Sequence, residues 1–202
     1  DGVMRGEFQA FDSGSGLHIA AGDVDGNGID EVIVGADSKN HKSPALVEIF
    51  KRDGTAMATL EQEQEGKRFR VTVAAGDLDG DWVEEVAVGS YPYSAEEEDE
   101  GNKGHPYQKG QGLVRIYKVI GGKFIDTGFA FSPYEGEEFR GAPNIAFGDV
   151  DGDGELELIA APGPDPQAPA RIKVFKIDTR EGMGRWKIAG QQRDLLVSFE
   201  AE

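Results

Sequence analysis

The sequence has no cysteine, and only three histidines, three methionines and two tryptophans among its 202 residues. Without cysteine there is no disulfide, no thiolate zinc site and no thiol nucleophile. The histidines, His18, His41 and His105, are scattered and read as surface or strand-edge residues. Positive charge is scarce too: 21 Lys and Arg stand against 38 Asp and Glu, a formal net charge of −17. Nucleic acid and anionic lipid surfaces repel such a chain, so neither is expected as a partner, whereas cations or a basic ligand suit it. No apolar run approaches the roughly 18 residues that span a bilayer. No leader-like stretch follows Asp1, and the opening reads as a mature terminus or a cut within a longer protein. Helical periodicity, Gly-x-Ser-x-Gly, P-loop and Gly-x-Gly-x-x-Gly signatures are missing as well.

What the chain does have is glycine, 29 residues, and one stretch that occurs three times. HIAAGDVDGNGIDEVIVGAD runs from His18, VTVAAGDLDGDWVEEVAVGSY from Val71 and NIAFGDVDGDGELELIAAPG from Asn144. Each is an apolar run, Gly-Asp-x-Asp-Gly, a Glu and a second apolar run. A further apolar segment follows each time: LVEIF from Leu46, LVRIY from Leu113 and IKVF from Ile172. It comes 23 residues after Asp23, 36 after Asp77 and 23 after Asp149, so the second repeat carries 13 extra residues in one loop. Preserved strands with one lengthened loop are how repeat architectures vary. Each repeat reads as four strands with tight turns at 52–54 and 120–122. Segments such as VRIYKV are apolar on both faces, as sheets covered on both sides require. Four-stranded sheets each packed between neighbours make a β-propeller. The expectation is an all-β fold of three four-stranded antiparallel blades, at 15–64, 65–134 with an insertion at 92–111, and 135–202. Residues 1–14 are expected to supply an extra N-terminal strand, the outer strand of a preceding or closing blade.

Crowded carboxylates repel one another unless a cation sits among them. Oxygen ligands at alternate positions of a tight loop suit Ca²⁺, which takes six to eight oxygens at about 2.3–2.6 Å. The third loop offers Asp149, Asp151 and Asp153 at positions one, three and five, the Glu155 carbonyl at seven and Glu157 at nine. The first offers Asp23, Asp25, Asn27, the Ile29 carbonyl and Glu31, and the second Asp77, Asp79, Asp81, the Val83 carbonyl and Glu85. An EF-hand loop begins the same way but needs a bidentate acid at position twelve, where this chain has Val34, Val88 and Ala160. One Asp-Gly loop alone reads equally well as a hydrophilic turn. Three at equivalent places favour metal, and three Ca²⁺ sites are expected. Asn27 replaces an acid in the first loop and Trp82 replaces a glycine in the second, so the third should bind most tightly.

On these motifs the chain resembles the FG-GAP repeats, also called integrin α-like or VCBS-like repeats, of calcium-binding β-propellers. The likeness runs over nearly the whole length. The Phe-Gly pieces are degraded to Ser15-Gly16, Phe69-Arg70 and Gly141-Ala142, and the Gly-Ala-Pro pieces to GAD, GSY and AAP. The resemblance implies calcium between the first and second strands of each blade, and a ring of seven blades as in animal integrins. Three blades do not close a ring. A segment of a longer protein, or a homo-oligomer of two chains and six blades, would complete it. The resemblance also implies an extracellular, cell-surface or periplasmic location.

A cage of carboxylates leaves no open position for a substrate, so the expected role is non-catalytic: a binding module for a protein or a glycan. In integrin-like propellers ligands meet the face opposite the calcium loops. There the insertion would display Tyr91, Tyr93 and Tyr107 around Glu96, Glu97, Glu98, Asp99 and Glu100, although an acidic insertion also reads as solvated chain. A propeller attached to a carbohydrate-active hydrolase or lyase, and a self-assembling architectural module, are the alternatives.

Overall fold

A computed structural model describes residues 6–12, 16–40, 43–63, 67–93, 112–135, 137, 139, 141–163 and 171–189, and the backbone of 195–200. Among these residues every regular element is a strand. Among the described residues no helix is long and apolar enough to cross a membrane.

The first sheet is an antiparallel meander of β1 (Leu17–Gly22), β2 (Glu31–Ala36), β3 (Ala45–Phe50) and β4 (Ala56–Gln62). The second repeats it with β5 (Arg68–Gly76), β6 (Glu85–Tyr93), β7 (Leu113–Ile120) and β8 (Lys123–Phe131). The third holds β9 (Asn144–Gly148), β10 (Glu157–Ala161) and β11 (Arg171–Asp178). Its fourth place is divided: β12 (Lys187–Ile188) pairs with the end of β11, and β13 (Leu195–Glu200) pairs with its beginning. Gly128 lets β8 pass closely beneath Gly184, where a Cβ would stand 3.0 Å from its Cα.

The sheets stack in chain order and do not close on themselves. β5 lies against β1 on one side and β9 on the other. Between the first two sheets Ile33, Val47 and Ile49 meet Val71, Val73, Val86 and Val88. Between the second and third, Val114, Ile116 and Phe131 meet Leu158, Ala160 and Phe175. The middle sheet is thus apolar on both faces, which accounts for its near-continuous apolar strands. Tyr134, buried in the link between sheets two and three, places its hydroxyl 2.9 Å from the Ala160 carbonyl and 2.8 Å from that of Arg171.

The N-terminal segment differs from expectation. Residues 6–12 form no strand. Instead Phe8 and Phe11 set their rings 5.2 and 6.3 Å from that of Phe50, on the face of sheet one turned away from sheet two. Covering an apolar face satisfies those aromatic rings without any strand partner. Leu17 and Ile19, on the same face of β1, stay exposed.

Candidate metal centres

All three acidic loops connect the first and second strands of their sheets, and all curl the same way. The residue at position four is Gly26, Gly80 or Gly152, with φ of +73°, +78° and +80°. At position six stand Gly28 and Gly154 at +81° and +88°, and Trp82 at +68°. Trp82 is the only non-glycine with positive φ among the described residues, and 86% of it is exposed.

The aspartate at position one organises each turn by accepting backbone hydrogen bonds. Asp149 Oδ1 accepts from Gly152 N at 2.7 Å and Asp153 N at 3.1 Å, and its Oδ2 from Gly154 N at 3.0 Å. Asp77 does the same with Gly80, Asp81 and Trp82, at 2.8, 3.2 and 2.9 Å. Asp23 accepts from Asn27 N at 2.9 Å and from Gly28 N at 2.6 Å.

The glutamate at position nine begins the second strand and is buried: Glu31, Glu85 and Glu157 are 3%, 0% and 0% exposed. One oxygen accepts the amide of position two, from Leu78 at 2.8 Å for Glu85, from Val150 at 2.9 Å for Glu157, and from Val24 for Glu31. Oε2 of Glu31 and Oε1 of Glu85 and Glu157 are buried with no hydrogen-bond partner, and of these the Glu85 oxygen has an ammonium, that of Lys118, 2.9 Å away. A buried carboxylate oxygen left bare is costly. One carboxylate oxygen of each glutamate lies within 4.8 Å of one from position one and one from position three, Glu31 with Asp23 and Asp25, Glu85 with Asp77 and Asp79, and Glu157 with Asp149 and Asp151. These three groups could hold a metal ion, and a cation is the partner that the bare oxygens lack.

The remaining expected ligands are placed differently. Asp81 and Asp153, at position five, turn Oδ1 back on the amides of Val83 and Glu155, at 3.0 and 2.9 Å. Their other oxygens meet Lys118 and Lys176. Asn27, in the first loop, gives its amide to Asp23 and Asp25. The carbonyls of Ile29, Val83 and Glu155 lie in the loops at position seven. In the insertion, Tyr91 and Tyr93 belong to β6 and are buried, with the guanidinium groups of Arg68 and Arg70 each 5.3 Å from the centre of the Tyr93 ring. Glu96, Glu97, Glu98, Asp99, Glu100 and Tyr107 lie outside the described residues.

Charge is balanced unevenly. Burial pushes the Glu85 carboxyl up to about 7, although the Lys118 ammonium beside it pulls the other way. Burial disfavours charge on Lys118 as well, but its hydrogen bonds to Asp81, Glu85 and Asp79 outweigh that and hold it protonated. Burial and the neighbouring Asp25 raise the Glu31 carboxyl. Loops two and three border a groove of about 700 Å³ lined by Asp79, Trp82, Asp153, Glu155, Lys176 and Arg180. Nearer the opposite end of the strands, His18, Asp37, Arg70 and Asn144 line a smaller polar cavity of about 250 Å³.

The lysines are the part of the site that the motif reading missed. The signal was present: EIFKR, RIYKV and KVFKI carry a lysine immediately after the aromatic residue of the third strand in all three repeats. No model of a known protein family matches the chain.

Proposed function

We propose that this protein is a non-catalytic, calcium-stabilised β-propeller module that recognises a protein or a glycan outside the cytoplasm. The observation that carries the reading is one cage built three times, each with a buried glutamate oxygen that has no hydrogen-bond partner, the one in loop two standing 2.9 Å from the Lys118 ammonium. The ligands are oxygens only, which suits a hard cation. Mg²⁺ demands near-ideal octahedral geometry and keeps its water, so a curled multidentate loop favours Ca²⁺. Surrounded by carboxylates, the ion shapes its loop and leaves no place for a reacting group. Stacked four-stranded meanders with their first strands side by side are the arrangement of successive propeller blades, and with the loop motif they support kinship with the FG-GAP repeats. Further blades, from the same polypeptide or from a second copy, would complete the ring. Sites of this kind fill where calcium is near millimolar, which favours an extracytoplasmic setting.

Thermal unfolding with and without calcium tests the metal. Each loop filled at a hundred times its dissociation constant adds about 2.7 kcal/mol, so millimolar calcium should raise the melting temperature by several degrees over chelator. Identical melting in the two conditions would remove the basis of this reading.

A further inference from the structure

Each cage has a lysine of its own, and the three stand at different depths. Glu157 pairs directly with Lys176 across β10 and β11. The pairs Val32–Phe50 and Val86–Tyr117 put Lys51 beside Glu31 and Lys118 beside Glu85 in the same register. Lys51 is exposed, and among the described residues it makes no ion pair with loop one. Lys176 rests at the rim of loop three, on Asp153 and, at 3.1 Å, on Glu155. Lys118 is inside loop two. Its Nζ lies 3.0 Å from Asp79 Oδ2, 2.7 Å from Asp81 Oδ2 and 2.9 Å from Glu85 Oε1, with 12% of the side chain exposed. Those acids hold positions three, five and nine, and Glu85 Oε1 is one of three buried glutamate oxygens without a hydrogen-bond partner, the one beside which an ammonium stands.

We propose that Lys118 is a tethered cation that occupies the second cage, so that a divalent ion enters loop two only by displacing it. The inference rests on the reading of the loops as metal sites. An ammonium and a divalent ion cannot share one set of carboxylates without strong repulsion. Lysine has a four-carbon stem on which the charge can swing out to solvent. Loop two therefore keeps its shape without metal and binds divalent ions most weakly of the three. The lysine, in addition to Trp82, lowers its rank.

Loop two has its own reporter. Trp82 stands where loops one and three have glycine, so terbium luminescence sensitised through Trp82 reads this cage, and Trp82→Phe identifies the signal. Lys118→Met should tighten terbium binding at loop two by about tenfold or more. In chelator it should lower the melting temperature by at least about 4 °C, because three carboxylates lose their counter-charge. Added calcium should restore the loss. Lys51→Met, which removes an exposed lysine that makes no ion pair with loop one among the described residues, should change neither reading. Wild-type terbium affinity in Lys118→Met, or wild-type melting of that variant in chelator, overturns the proposal. Calcium calorimetry on the wild type separates the two levels. Loops one and three hold no caged lysine, so an absence of heat from them sinks the metal reading itself, and displacement with it. Calcium heat from them, with no gain at loop two in Lys118→Met, sinks displacement alone.

Discussion

Trp82 holds a conformation that suits glycine, with φ of +68° and most of its surface in water. Nothing lies within 4 Å of a Cβ built on Gly28 or Gly154, so the equivalent position tolerates a side chain sterically and only the backbone is strained. Left-handed backbone costs a non-glycine residue roughly 1–2 kcal/mol, part of which glycine gives back through a freer unfolded chain. Trp82→Gly should stabilise the metal-free protein by about 0.5–1 kcal/mol, seen as a higher urea midpoint, and a lower midpoint would contradict the strain argument. Glu85 yields a second expectation. Its folded carboxyl is held at about 7 against 4.5 when free, so it binds its proton more tightly folded than unfolded. Its contribution to stability is full below pH 4.5 and is lost as the pH rises to about 7. Calcium needs the charged form, so filling loop two at pH 6 should release a proton, and filling it at pH 8 should release almost none. Calorimetry in buffers of different ionisation heat measures that release. Equal release at both pH values would show that Glu85 is not held protonated.

At the scale of the hairpin, the aspartate at position one has two separable duties. It turns the loop by accepting the amides of positions four to six, and it would offer charge to an ion held there. Asp149→Asn keeps the acceptor for Gly152 and Asp153 but loses the charge and the acceptor for Gly154, so it should cost about 1 kcal/mol in chelator and lose about tenfold or more in calcium affinity at loop three. Asp149→Ala removes both, and should cost a further 1–2 kcal/mol or so without any metal. If the two variants melt alike in chelator, the amide contacts do not hold the turn. The hairpins were legible because Asp-x-Asp-Gly followed by a Glu is local: glycine at positive φ and the aspartate accepting nearby amides lie within a few residues of one another. The divided fourth strand of sheet three was not legible, because β12 and β13 are selected by room along β11 and not by any pattern of their own.

For the whole molecule the decisive fact is that sheet two is shared. Its two faces form both apolar layers, and no sheet has a core to itself. Unfolding should therefore be one transition. Leu158, fully buried between sheets two and three, should cost 2–5 kcal/mol or so when cut to alanine, and the loss should reach all three sheets. Trp186 fluorescence, which reports the second layer, and far-ultraviolet circular dichroism, which reports every strand, should give coincident urea transitions in Leu158→Ala. A split would mean that sheets one and two stand alone. The long-range part of the architecture is also where sequence reading went astray. Phe8 and Phe11 looked like strand residues and proved to cover Phe50, while Tyr91 and Tyr93 looked like display residues and proved to be buried.

The sequence alone determined the three loops, their spacing, the strands that flank them and the acidic groups that could hold a cation, since each depends on residues that are neighbours along the chain. Tertiary structure alone decided where the lysines stand. Lys51, Lys118 and Lys176 follow the same aromatic position in the same strand, yet among the described residues one makes no ion pair with its loop, one rests at the rim and one fills its cage. That difference comes from how an ammonium on a long stem meets carboxylates brought to it from another strand, and spacing along one chain carries no record of it.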